Sequence, residues 1–362
     1  MTAVLIMAGG TGGHVYPALA VAAALRQDSH YVSWVGTRTG LESQVVPAAD
    51  IAIDWIKVSG LRGHGLFSWL LAPFRLVAAL FQALQIVYRR KPGVVLGMGG
   101  FVAGPGGVAA WLLRRPLVIH EQNAVAGLTN RLLAPLATEV LQAFPGAFAD
   151  KIAAQTVGNP VRDSIVQLAA PRDRMLTRSG PVRLLVLGGS QGALALNENV
   201  PAALAAMDAI VRPEVWHQAG ARTYNLAERA YAEHRMEARI EPFIDDMAAA
   251  YAWADLVVCR AGALTVAELA AAGVAAIFVP YPLSIDDHQT LNAGYLVDAG
   301  AARLIPQAQL DATRLARELE TLCGDRARLL KMAENARSAS VSNATSAVRD
   351  KCLQAAAGVR HD

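Results

Sequence analysis

His14 closes the run Gly9-Gly10-Thr11-Gly12-Gly13-His14, directly after the apolar segment 4–7. A histidine at the mouth of a glycine turn can act as a base toward a bound substrate, although an isolated histidine there can equally be a helix cap. Two more glycine turns follow apolar segments: Val94 to Gly107, which holds Gly99, Gly100, Gly104 and Gly106, and Val182 to Ala193, which holds Gly188-Gly189-Ser190-Gln191-Gly192. Glycine lets a backbone approach an anion closely, and the helix behind such a turn offers unpaired N–H groups and a partial positive charge. A fourth helix start, Gly262-Ala263-Leu264-Thr265-Val266-Ala267-Glu268, follows the apolar segment 256–259 and suits a diphosphate. Glu268 would reach hydroxyls on whatever that diphosphate carries, or else be a surface carboxylate favoured by the helix dipole. Glu121, just past the segment 117–120, is a second candidate base.

Other chemistries leave marks that are missing or incomplete. The first turn lacks the third glycine of a dinucleotide fingerprint, and the next apolar segment ends in Gly36-Thr37 where a ribose-binding acid should stand. Gly-Lys-Ser/Thr occurs nowhere, so there is no P-loop. Gly188-Gly189-Ser190-Gln191-Gly192 matches a nucleophile elbow, and Asp245 or Asp246 with His288 would complete a serine hydrolase in chain order. That reading leaves the other glycine turns without a task, whereas Ser190 as a donor to an anion explains all of them. No Asp-x-Asp pair is present to clamp a diphosphate through a metal. Asp286-Asp287-His288-Gln289 and Asn292 add a polar cluster beyond another apolar segment.

These residues need strand ends and helix starts to hold them. Short apolar runs (4–7, 31–35, 94–96, 117–120) alternate with longer helical stretches beginning near Pro17, Leu41 and Gly106, a βαβ rhythm that predicts a doubly wound parallel sheet. The rhythm restarts after Gly158-Asn159-Pro160, with strands expected at 183–187, 215–218, 238–240, 256–259 and 275–279. With 362 residues, about half apolar, two domains are expected: 1–160 and 161–341, with a closing helix at 342–358 that could pack back on the first. A net charge of +3 without polybasic tracts argues against nucleic acid. Cys259, Cys323 and Cys352 lack metal or disulfide spacing and suit a reducing compartment, and the start of the chain carries no secretion signal.

One stretch breaks the rhythm. Residues 65–90 are almost wholly apolar and bordered by Arg62, His64, Arg89, Arg90 and Lys91, but Ser68, Pro73, Arg75, Gln82 and Gln85 interrupt them, which argues against a membrane span. Two readings stay open. One is buried core helices; the other is an interfacial surface from Leu66 to Val87 whose apolar side chains enter lipid while the basic flanks meet anionic headgroups.

The motifs GGTGGHVYPALA, GMGGFVAGPGG, HEQNAVAGLTN, GNPVR, GGSQGA, FIDDM and GALTVAE occur in this order. Together they make the chain closely similar, nearly end to end, to the MurG family of UDP-N-acetylglucosamine transferases acting on lipid I in peptidoglycan synthesis. The resemblance implies a GT-B fold, two Rossmann-like α/β domains facing a cleft, with no cofactor and no metal, at the cytoplasmic face of the bacterial inner membrane. It carries the donor site onto Thr11, Gly12, Gly13, Asn123, Arg162, Ser190, Ile244, Ala263, Leu264, Thr265, Val266, Ala267, Glu268 and Gln289. Uracil would be met near Arg162 and Ile244, ribose by Glu268, diphosphate by Ser190 and the Ala263 helix end, and the sugar by Asn123 and Gln289. The remaining turns, with Gly10, Gly13, Gly99, Gly100, Gly104 and Gly106, would cradle the diphosphate of the lipid I acceptor. His14, or else Glu121, would be the base. Ala261 and Ala267 stand where serine is common in the family, and Ala219 is a further departure; these changes remove possible hydroxyl contacts and leave the backbone cradle.

Overall fold

The computed structural model describes residues 1–58, 66–189 and 192–358. The chain divides into two compact units, Met1–Arg162 together with the segment from Val341, and Asp163–Ser340. The first holds seven parallel strands: β1 (Ala3–Met7), β2 (Tyr31–Gly36), β3 (Ala52–Trp55), β4 (Val94–Gly97), β5 (Leu117–Glu121), β6 (Glu139–Gln142) and β7 (Gln155–Thr156), in the order β3-β2-β1-β4-β5-β6-β7. The second holds β8 (Arg183–Leu187), β9 (Glu214–Gln218), β10 (Arg239–Glu241), β11 (Leu256–Cys259), β12 (Ala275–Phe278) and β13 (Ala302–Leu304), in the order β10-β9-β8-β11-β12-β13. Each sheet therefore reverses its strand order once, between β1 and β4 and between β8 and β11. In doubly wound sheets ligands bind beyond the carboxyl ends of strands at that reversal.

The central strands are buried on both faces, which is why they read as unbroken apolar runs. Side chains alternate: Val4, Ile6, Trp34 and Leu96 join one core, while Leu5, Met7, Val35 and Val95 join the other. The first of these cores also takes in Val348, Cys352, Ala355 and Ala356 from the closing helix Ala344–Gly358. The strands that the apolar pattern does not reveal are β3, β6, β7 and β13. Three of them are sheet edges, short and partly exposed, so they need no continuous apolar run. All three cysteines are buried free thiols, and burial pushes those of Cys323 and Cys352 up to about 12. They are packing residues, inert toward exchange.

The apolar stretch is one helix, Leu66–Arg90. Ala79, Ala83, Ile86 and Val87 face the core, whereas Phe74 (74% exposed), Leu76, Val77, Phe81 (63%) and Tyr88 face out. Arg89 and Arg90 pair with Asp54 of β3 and tie the helix end to the sheet edge. Among the described residues, no helix is long and apolar enough to cross a membrane.

Candidate active site

The chemistry-bearing residues of the first unit gather at the carboxyl ends of β1, β4 and β5. After β1 the chain turns through Gly10 (φ 96°) into the helix Gly12–Gln27, which starts earlier than the proline at position 17 suggests. Thr11 is the extended N-cap, and the amides of Gly12 and Gly13, at the first two helical positions, have no intrahelical acceptor. The Gly10 amide is already occupied: it donates to the carboxylate of Glu42 (2.9 Å). Glu42 is fully buried and also accepts from the Thr37 amide (2.9 Å) and hydroxyl (2.8 Å). A Cβ at Gly9, Gly36 or Gly40 would run into this side chain at 2.7 Å or less, so these glycines make room for Glu42. The residue braces the turn from behind, and nothing in the local pattern singles it out.

The turn after β4 interlocks with the first. Gly99 and Gly100 both adopt positive φ (91° and 79°), and a Cβ on Gly100 would come within 2.3 Å of the Gly9 carbonyl oxygen. A Cβ on Gly99 would lie 2.8 Å from His14 Nδ1. Gly104 sits in the first turn of the next helix, Ala103–Leu112, half-buried, where a Cβ would meet Thr129 Cγ2 in ordinary contact at 3.6 Å. Gly106 does not belong to an anion cradle. It is buried in that helix, its amide is directed to the Val102 carbonyl (3.4 Å), and a Cβ there would overlap Met7 Sδ at 2.0 Å. Its job is close helix–strand packing.

His14, on the first turn of the helix, bonds through Nδ1 to Gln122 Oε1 at 3.0 Å. Gln122 in turn approaches Nδ1 of the buried His120, whose Nε2 bonds to the Gly158 carbonyl at 2.9 Å. Burial pulls His120 down to about 4, so it is neutral at physiological pH. Glu121 has a different task. Its two oxygens accept from the Asn123 amide and side chain (both 3.0 Å), the Gly127 amide (3.0 Å) and Asn130 Nδ2 (2.9 Å). A carboxylate shared among four donors shapes the loop 123–130 and positions Asn123. Arg162 belongs to this unit too, its guanidinium 5.4 Å from the centre of the Tyr16 ring.

In the second unit the helix Ala263–Ala272 starts beside the strand reversal, directly after β11. Gly262 caps it in an extended conformation, and the amides of Ala263, Leu264 and Thr265 have no intrahelical acceptor, while the Val266 amide already bonds back to Gly262. Val266, Ala267 and Glu268 therefore cannot offer amides, and only a side chain can reach a ligand from there. Glu268 is not the surface carboxylate of the alternative reading: it is 4% exposed and accepts from the Tyr251 hydroxyl at 3.1 Å. The neighbouring turn after β8 has Gly189 and Gly192 at positive φ, the Gly188 amide bonded to the Gln218 carbonyl, and Asn197 tying down Ala219. Ser190 lies outside the described residues. Ile244 is buried with its amide on Gln218 Oε1 (3.3 Å), and Gln289 Oε1 accepts from the Tyr281 amide (2.9 Å). Asp246 caps the helix Met247–Trp253.

The first unit thus assembles Gly10 to His14, Gly99, Gly100, Gly104, Glu121, Asn123 and Arg162, and the second Ile244, Ala263 to Glu268, and Gln289. Glu42, Gln122 and Tyr251 are the residues that sequence reasoning missed. The HEQN run could have drawn attention to Gln122, being polar beyond a buried strand; Glu42 and Tyr251 reach the site only through packing. Among the described residues, no group of three or more His, Cys, Asp or Glu could hold a metal ion.

Comparison with known proteins gives the family. Residues 4–142 match the glycosyltransferase family 28 N-terminal domain and residues 183–348 its C-terminal domain. A relative from Nitrosococcus oceani, named UDP-N-acetylglucosamine--N-acetylmuramyl-(pentapeptide) pyrophosphoryl-undecaprenol N-acetylglucosamine transferase, is 59% identical over 98% of this chain and 99% of its own. A protein of the same name from Alkalilimnicola ehrlichii is 58% identical, with 98% and 99% covered. The crystal structure of Acinetobacter baumannii MurG superposes with a TM-score of 0.84 at 41% identity, covering 98% of this chain and all of that one.

Proposed function

The chain belongs to glycosyltransferase family 28 and has its GT-B fold, and from that premise we infer that it transfers N-acetylglucosamine from UDP-N-acetylglucosamine to the 4-hydroxyl of the N-acetylmuramoyl sugar of lipid I, with inversion, giving lipid II. The observation that carries this reading is the pair of amide-bearing helix starts, at Gly12 and at Ala263, each beside the strand reversal of its own sheet. A diphosphate-linked donor and a diphosphate-linked acceptor call for two such ends. The serine hydrolase reading gives way to the family assignment.

In this scheme the acceptor hydroxyl attacks the anomeric carbon. The bond from that carbon to the UDP oxygen breaks as the new glycosidic bond forms on the opposite face, and the hydroxyl proton passes to His14. The amides of Ala263, Leu264 and Thr265 face the negative charge that develops on UDP; being fixed beforehand, they need no reorganisation, and Ser190 is the further donor that the family resemblance assigns to the diphosphate. Glu268, oriented by Tyr251, takes the ribose hydroxyls, Arg162 and Ile244 the uracil, and Asn123 and Gln289 the sugar. Gly12, Gly13 and Gly104 present amides to the acceptor diphosphate, and Gly10, Gly99 and Gly100 supply the backbone shape that allows it. Incubating radiolabelled UDP-N-acetylglucosamine with a short-chain lipid I analogue tests the reading. Label in a disaccharide-bearing lipid, with and without a chelator, is the expected result; label released as the free sugar or its 2-epimer would overturn it.

The exposed row Phe74, Leu76, Val77 and Phe81 forms the membrane-docking surface, and the helix packed against it exposes Trp111 and Leu112 as well. Arg114 and Lys91 follow the ends of these two helices and add positive charge there. Burying a phenylalanine ring contributes about 1.5–3 kcal/mol. Phe74→Ser combined with Phe81→Ser should therefore weaken binding to anionic phospholipid vesicles at least about tenfold, with the thermal midpoint unchanged. Flotation with the vesicles at low and high salt reads the effect, and undiminished flotation would remove this surface from the membrane role.

A further inference from the structure

We propose that Gln122 and His120 are positioning residues that lock His14 in one tautomer, with the proton on Nδ1 and the lone pair on Nε2, so that Nε2 is the atom that takes the acceptor's proton. The inference rests on the reading of His14 as the base and specifies which of its atoms reacts and what holds it.

The assignment follows from two groups that can only accept. The Gly158 carbonyl bonds to His120 Nε2 at 2.9 Å, so that nitrogen must carry hydrogen. Neutral imidazole has one N–H, and His120, buried with its basicity depressed, keeps Nδ1 as a bare acceptor. The side-chain nitrogen of Gln122 lies 3.2 Å from that Nδ1 and 3.3 Å from the His120 carbonyl oxygen, another pure acceptor. The amide end of Gln122 must therefore point toward His120, since its oxygen there would face two lone pairs. Its Oε1 is left facing His14 Nδ1 at 3.0 Å, and an amide oxygen accepts only. His14 Nδ1 must donate, and Nε2 is bare whenever the ring is neutral.

The surroundings support the same direction. Asn130 also donates to the His120 carbonyl (3.1 Å), adding to its role as acceptor. Glu121, the nearest carboxylate in sequence, has both oxygens on the loop 123–130, so the partner of Nδ1 is the neutral amide of Gln122. Gly99 keeps the junction open: a Cβ there would stand 2.8 Å from His14 Nδ1 and 3.4 Å from Gln122 Oε1, wedged beside their hydrogen bond. The chain of bonds runs from the base to the backbone of Gly158, in the turn leading to the end of the first unit at Arg162.

The decisive measurement needs no variant. In the full-length protein with ring-labelled histidines, the nitrogen resonances of His14, identified by their loss in His14→Gln, should show a protonated Nδ1 and a bare Nε2 above the pH at which the ring becomes neutral. A protonated Nε2 in the wild-type protein would overturn the proposal. Gln122→Met removes the acceptor at similar length. It should lower kcat roughly 10- to 100-fold, part of the factor a general base supplies, leave the KM for UDP-N-acetylglucosamine unchanged, and let the Nε2–H form appear. Unchanged kcat with an unchanged tautomer in that variant would equally sink the idea, and if the variant fails to fold, the wild-type spectrum decides alone. Full turnover in His14→Ala would instead remove the base reading while leaving the tautomer standing, so the two failures are distinguishable.

Discussion

Replacing His14 with alanine is expected to lower kcat by about 100- to 10,000-fold, the range that a positioned general base contributes. Donor affinity should hardly change, because the residues assigned to UDP-N-acetylglucosamine, Asn123 and Arg162 in the first unit and Ile244, Ala263 to Glu268 and Gln289 in the second, are untouched by the substitution. The split matters more than the size. A binding residue would raise KM, whereas a group whose interaction grows in the transition state lowers kcat and kcat/KM together. Initial rates with a lipid I analogue, alongside calorimetric titration of UDP-N-acetylglucosamine, check both halves; turnover at the wild-type level would exclude His14 as the base. The nonpolar replacement leaves Gln122 Oε1 without its partner, so a modest loss of stability accompanies the kinetic loss.

Gly100→Ala should be the most damaging single methyl in the first unit. An L-residue at φ 79° costs on the order of 1–2 kcal/mol, and the added carbon would approach the Gly9 carbonyl oxygen at 2.3 Å and its carbonyl carbon at 3.1 Å. Those atoms are backbone of the other glycine turn and have no rotamer to escape into, so overpacking adds about 1–3 kcal/mol. At roughly 2–4 °C per kcal/mol for a domain of this size, the melting midpoint should fall by about 10 °C. Gly146→Ala is the control: φ is the same 79°, but nothing lies within 4 Å of the added carbon, so only the conformational cost applies. Equal midpoint losses in the two variants, read by thermal unfolding, would mean that the two turns do not interlock.

The α/β rhythm was legible because strands buried on both faces must be apolar throughout, and the glycine turns because nothing else combines tight turns with close approach of a backbone to an anion. Much of the candidate site is legible for the same reason, since the parts proposed for it are backbone amides at helix starts, and helix starts leave marks in the chain. The glycines themselves were harder to sort. Gly104 and Gly106 look alike in the run GPGG, yet one is half-buried at a helix start with room for a Cβ and the other is buried against Met7. Glu121 and His14 read alike as candidate bases; the four hydrogen bonds that Glu121 accepts all come from residues 123–130, a loop that local patterning does not position.

The sequence by itself determined two parallel-sheet units, the strand-to-helix turns that present free amides, and membership of a transferase family, because each of these depends on residue types within one short stretch of chain or on the order of such stretches. Only the tertiary structure decided what those turns lean on. Glu42 meets Gly10 across 32 positions and Gln122 meets His14 across 108. Side-chain contacts of that kind depend on which strands become neighbours, and β1 lies beside β4 and β4 beside β5 because the sheet packs that way, with no signal carried in the residues next to either partner.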